Sequence, residues 1–111
     1  MSIEGYVYEH KGTPARYRGE GFLYVVGFTE TRIKVGRTNQ PNSRLSSHIR
    51  AGRGILGIDP FVWVSEPHEN YKASERALLS WCRERVGTKD RIEYFDIPFR
   101  EVVQRAESIA A

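Results

Sequence analysis

The rhythm of apolar and polar positions changes several times along the chain. Residues 22 to 28 are an almost unbroken apolar run, and residues 32 to 36 alternate as Arg-Ile-Lys-Val-Gly. Short β-branched and aromatic runs on either side of a polar turn read as a hairpin, here around Thr29, Glu30 and Thr31. Pro41 suits the first residue of a helix, where its missing N–H costs nothing. Leu45 and Ile49 give that helix a buried stripe, and it is expected to run to about Ala51 and stop at Gly52. Phe61 to Val64 reads as a third strand. Residues 69 to 86 are the longest helical pattern, with Leu78, Leu79, Cys82 and Val86 on one stripe and Gly87 as the stop. "RIEYFDI", residues 91 to 97, is a fourth strand, and Pro98 opens a last helix to about Ile109. The order β-β-α-β-α-β-α predicts a compact α/β (α+β) fold with a small sheet.

Upstream, residues 3 to 8 alternate in part and read as a short edge strand. Residues 10 to 21 carry three glycines, Pro14 and several basic side chains, a loop composition. The chain therefore divides into an extension, 1–21, and a folded unit, 22–111, within one globular domain.

With 111 residues the chain can bury one modest core. No apolar run approaches the roughly 20 residues that span a bilayer, and the first residues lack a signal-peptide pattern, so a cytoplasmic protein with no membrane partner is expected. A single cysteine, Cys82, excludes an internal disulfide and fits a reducing compartment. Charge alters the picture more. Residues 1 to 53 hold nine Lys/Arg against four Asp/Glu, a balance of +5, while residues 54 to 111 hold eight against ten, a balance of −2. This asymmetry suits a face that meets a polyanion such as nucleic acid, or equally a solvated basic surface.

Candidate chemistry begins on the hairpin. With a three-residue turn, Phe28 lies opposite Arg32, Val26 opposite Lys34 and Tyr24 opposite Gly36. Tyr24 and Lys34 then become diagonal neighbours on one face, and Gly36 leaves open space above the phenol for a substrate backbone. The plainer alternative makes Tyr24 a core aromatic and Lys34 a solvated side chain. On the first helix Arg44 and His48 are one turn apart beside the buried stripe. Arginine there suits bidentate phosphate binding, and histidine suits proton transfer near neutral pH. Glu75 shares the stripe of Leu78 and Leu79. A carboxylate facing the core needs a partner. That partner is either a divalent cation or an ion pair with Arg44 or Lys34; a third reading is a first-turn glutamate supporting the helix N-terminus. "GRGILG", Gly52 to Gly57, matches a dinucleotide-binding spacing but follows a helix instead of a strand, and reads as a helix stop and loop. His10, His48, His68 and Cys82 lack zinc-site spacing. Cys82, Trp63 and Trp81 read as core.

In this order, "FLY" at Phe22 to Tyr24, "KVG" with "RT" at Lys34 to Thr38, "RLSSH" at Arg44 to His48, Glu75 in "ASERALLSWC" and the closing "RIEYFDI" resemble the GIY-YIG nuclease superfamily, especially a branch common in phages and large DNA viruses. The match covers residues 22 to about 105. Phe22 and Leu23 replace Gly and Ile, and Lys34 replaces the second tyrosine, as in some restriction enzymes of the superfamily.

The resemblance implies a small mixed sheet of three to four strands flanked by helices, and hydrolysis of DNA phosphodiesters with one divalent cation, Mg²⁺ or else Mn²⁺. Glu75 would bind the metal. Tyr24, assisted by Lys34 or His48, would orient or deprotonate the attacking water, with Lys34 lowering the phenol's pKa. Arg44 would neutralise charge on the phosphorus oxygens, and Gly36, Arg37 and Thr38 would line the substrate. A domain of this size has little room for a sequence-reading element, so a homodimer or a separate targeting partner is expected. The rival reading is a catalytically inactive module of the same fold that binds DNA or a protein.

Overall fold

Alternation along the hairpin decides the architecture. A computed structural model describes residues 19–110, so the expected edge strand over 3 to 8 and most of the basic loop lie outside the described residues. β1 (Phe22–Gly27) and β2 (Arg32–Thr38) send successive side chains to opposite faces. All six residues of β1 are buried, so this strand has to lie centrally with both faces covered. The chain continues through α1 (Pro41–Ala51), a π-helical turn (Gly52–Leu56), β3 (Phe61–Val64), α2 (Tyr71–Val86), β4 (Tyr94–Asp96) and α3 (Phe99–Ala110), an α+β order matching the hydrophobic pattern.

The four strands lie in the order β3-β1-β2-β4. Every pairing is antiparallel, where the resemblance implied a mixed sheet. After β2 the chain crosses through α1 and returns on the far side of β1, so β3 runs with β2 but never touches it. The hairpin register is the expected one: Tyr24 opposes Gly36 and Val26 opposes Lys34. The Phe28 N–H closes the turn by donating to the Arg32 carbonyl at 2.9 Å.

Two cores result. On one face Leu23, Val25, Ile33, Val35, Trp63 and Phe95 pack against Leu78, Leu79 and Cys82 of α2 and Val102, Val103 and Ala106 of α3. On the other face Phe22, Tyr24, Val26, Val62 and Val64 pack against Leu45 and Ile49 of α1. The second core is smaller because a single helix covers it. Tyr24, Lys34 and Gly36 belong to this thinner side.

Two local expectations change. α1 ends at Ala51 as expected, but Gly52 caps it with a helical φ of −59° and the chain winds on as the π-helical turn to Leu56. Pro60 packs where a side chain would project, with its Cγ only 2.5 Å from an ideal Cβ, so glycine there serves close packing. The chain instead turns at Gly57, in the left-handed region at φ 66°. Val86 is 40% exposed rather than part of the core stripe, because α2 outruns the sheet in its last turn. Cys82 is buried, and burial pushes its thiol up to about 12, as befits an inert core residue. Among the described residues no helix is long and apolar enough to cross a membrane.

Candidate functional site

β1 places Tyr24 with its ring over Gly36 of β2. A Cβ at Gly36 would overlap the Tyr24 Cζ and Oη and lie 2.8 Å from Cε2. The expected open space for substrate is therefore filled by the tyrosine itself, and glycine is needed to seat the phenol. The ring is 2% exposed, yet its hydroxyl reaches the His48 Nε2 at 3.1 Å. α1 supplies that imidazole because Leu45 and Ile49 turn the helix onto the sheet and leave His48 half-buried at its margin.

Lys34 lies one register step from Tyr24, its residue only 9% exposed. Its ammonium is 5.7 Å from the Tyr24 ring centroid and 5.6 Å from that of Tyr94. It donates to Glu93 Oε1 at 3.1 Å and to the Val35 carbonyl at 3.3 Å. The Glu93 backbone is tied to β2 as well, its carbonyl accepting from the Val35 N–H at 3.0 Å. A buried lysine thus finds its counter-charge on the residue just before β4. Sequence reasoning missed Glu93; the clue was an acidic residue just before a strand that pairs with the lysine-bearing one.

Electrostatics follow from burial first. Desolvation pushes the Tyr24 phenol up to about 12; Arg44 opposes the shift, while Glu93, Glu75 and Tyr94 add to it. The expectation that the phenol's pKa is lowered is not met: burial dominates and pushes it up, and the Glu93 carboxylate that pairs with Lys34 adds to the rise. His48 is pushed down to about 4 by burial, with Lys34 and Arg44 acting the same way and Glu93 against. At neutral pH the pair is a neutral phenol beside a neutral imidazole. The phenol donates to Nε2 when the imidazole proton sits on Nδ1.

The remaining predicted residues divide. Arg44 is exposed, one turn before His48, with no ion pair among the described residues. Glu75 sits on the first half of α2 with its side chain 13% exposed. Its partner is Arg37, Nε to Oε1 at 3.1 Å, and not Arg44 or Lys34. Arg37 also lies 5.9 Å from the Tyr71 ring centroid. Thr38 has a structural task, since its hydroxyl accepts from the Gln40 N–H at 2.9 Å and shapes the entry to α1. The start of α2 is anchored by His68, whose Nε2 is 2.9 Å from the buried Ser74 hydroxyl and whose Nδ1 is 2.9 Å from the Glu66 carbonyl.

The fit of a metal rests on Glu75. The described residues contain no cluster of three or more His, Cys, Asp or Glu side chains. One carboxylate keeps an oxygen beyond the Arg37 contact. A single carboxylate completed by water and a phosphate oxygen is a donor set that Mg²⁺ accepts. Glu75 offers one carboxylate oxygen to a hard divalent cation, and the described residues offer no closed structural zinc site.

The T5orf172 domain profile matches residues 5–110, nearly the whole chain. The chain belongs to the T5orf172 domain family. This is a phage-associated group related to nucleases. No curated protein and no solved structure gives a significant match. Within the T5orf172 domain Tyr24, Lys34, Arg44 and His48 lie on or beside the sheet face covered by α1, whereas Glu75 stands on α2, which packs on the opposite face, and pairs there with Arg37.

Proposed function

We propose that this T5orf172 domain is a divalent-metal-dependent DNA endonuclease of the GIY-YIG type. The observation that carries the reading is the Tyr24–His48 hydrogen bond at 3.1 Å, flanked by Lys34, with the charges of Arg44 and Glu75 close enough to act on the phenol. A neutral phenol and a neutral imidazole in line form a proton relay. The Tyr24 oxygen accepts a hydrogen bond from the attacking water. As the water oxygen bonds to phosphorus and the bond from phosphorus to the leaving deoxyribose oxygen breaks, the water proton passes to Tyr24 while the Tyr24 proton passes to His48 Nε2. The phenol is never ionised, so its high pKa is no obstacle. His48, its pKa lowered to about 4, is neutral at pH 7 with its Nε2 lone pair available, and as a weak base it holds the proton only through the transition state before releasing it. Arg44, exposed at the rim, pairs with the phosphate oxygens. Lys34, held by Glu93, keeps the phenol in register. Glu75 would hold the divalent cation, which when bound stabilises charge on the leaving oxygen.

The test is nicking of supercoiled plasmid with Mg²⁺, with Mn²⁺ and with EDTA. Glu75→Ala and Arg44→Ala are each expected to lower cleavage by at least about a hundredfold, the scale of losing one charge-stabilising group, with melting curves showing a folded domain. Cleavage by Glu75→Ala at the wild-type rate would overturn the site assignment. A wild-type domain that binds DNA but cuts with neither metal would establish the inactive binding module instead.

A further inference from the structure

Beside the Tyr24 centre the sheet edge carries a second aromatic group that the relay does not use. Tyr94 of β4 pairs in register with Lys34 of β2 and points to the same face. It is one of the few large aromatic or aliphatic side chains left substantially open, 41% exposed. Phe28 lies stacked against it at 6.3 Å between centroids and 27° between planes. Two cations stand near the same ring: the Arg32 guanidinium at 5.9 Å and the Lys34 ammonium at 5.6 Å. Lys34 therefore touches both phenols, at almost equal distance, and joins the platform to the reacting centre.

Exposure of a large ring between two cations has a cost in water and no function in the core. Phe28 braces one side of Tyr94 and Arg32 is in turn held by Asp96 at 3.1 Å, so the ring is pre-oriented. A pre-oriented, cation-flanked aromatic is suited to stacking a nucleobase, whose π-face any sequence offers. A base inside a duplex cannot reach such a ring, because its faces are already stacked. We propose that Tyr94 is a stacking platform for an unpaired DNA nucleotide adjacent to the scissile phosphate. The preferred substrate is accordingly DNA with a single-stranded segment at the cut. This rests on the nuclease reading for the words "at the cut", while the binding itself stands alone.

The local charges sharpen the inference. Both cations near Tyr94 are matched by carboxylates, Arg32 by Asp96 and Lys34 by Glu93. The platform therefore contributes by stacking and little by counterion release, so its loss should leave the salt dependence of binding almost unchanged.

The experiment uses fluorescence anisotropy in EDTA, so that no cleavage intervenes. The probes are a single-stranded oligonucleotide, the matching duplex, and a duplex with a short single-stranded gap. Wild type is expected to favour the single-stranded and gapped probes. Tyr94→Ala should weaken those two by roughly tenfold, the scale of one lost base stack, and leave the duplex affinity and the salt slope unaltered. Tyr94→Phe, which keeps the ring, should bind as wild type. A 2-aminopurine in the unpaired segment should be quenched by wild type and by Tyr94→Phe only. Equal weakening on all three probes, or wild-type binding by Tyr94→Ala, would overturn the platform. Wild-type binding by stacking without cleavage in a parallel Mg²⁺ and Mn²⁺ assay would sink the nuclease reading alone.

Discussion

Gly36→Ala tests the seat of Tyr24 with a single methyl group. An ideal Cβ there lies 2.8 Å from the tyrosine Cε2 and overlaps Cζ and Oη, whereas ordinary contact begins at 3.4 Å. The ring must retreat by at least 0.6 Å (3.4 − 2.8), and further at its hydroxyl end. It has little space to do so, being 2% exposed among Val26, Val62 and Leu45. Overpacking of this kind costs about 1–3 kcal/mol. Displacing the hydroxyl from His48 adds about 0.5–1.5 kcal/mol for the lost hydrogen bond. Replacing glycine in a strand returns roughly 0.5–1 kcal/mol through the unfolded chain. The clash wins, with a net loss of about 1–3 kcal/mol, or a fall in melting temperature on the order of 5–15 °C. Urea denaturation gives the energy, and the NMR shift of His48 reports the hydrogen bond. Gly54→Ala is the control, since a Cβ there meets nothing within 4 Å and its φ is not positive; it should be neutral or slightly stabilising. The decisive comparison repeats Gly36→Ala in a Tyr24→Ala background, where the methyl group enters vacated space. The reasoning fails if the destabilisation is as large there as in wild type.

Stability against pH carries a signature of the same pair. His48 titrates at about 4 when folded against 6.5 ordinarily, so between those values the unfolded chain binds more protons. Its contribution is complete above pH 6.5 and is lost as pH falls toward 4, and His48→Gln should flatten that limb of a denaturant-midpoint curve. Tyr24, at about 12 against 10.0, binds its proton more tightly when folded, so stability should decline as pH rises from 10 to 12, and Tyr24→Phe should remove that decline. Glu93→Gln strips the counter-charge from Lys34 and removes a carboxylate that raises both neighbours. Tyr24 and His48 should then both titrate lower by ultraviolet and NMR titration, with about 1–3 kcal/mol of stability lost because the buried Lys34 ammonium is left without its counter-charge. Unmoved titrations would separate Glu93 from the site.

Much of the fold was legible because apolar periodicity is a local property. The hairpin register followed from a three-residue turn and the period of two, which together placed Tyr24 opposite Gly36. The third strand at Phe61–Val64 and the stop at Gly87, with φ 75°, were equally local. The end of α1 at Gly52 was local too, but the π-helical turn that follows was not legible, because it depends on Pro60 packing against Gly52 from eight residues away along the chain. The Tyr24–Lys34 neighbourhood was foreseeable from register, while His48 joining it was implied only by the resemblance. Their charge states were not foreseeable, since these depend on how far each group is buried and on which carboxylate arrives beside it.

The sequence by itself determined the elements, the pairing of β1 with β2 and the face on which the phenol lies, because these follow from side-chain alternation and turn length. Only the tertiary structure decided that Tyr24 fills the space over Gly36, that Glu93 holds Lys34 and that Arg37 holds Glu75. Those partners stand 12, 59 and 38 residues apart in the chain. Contacts of that range arise when the sheet closes and each buried charge takes the nearest opposite one, a choice that no local pattern encodes.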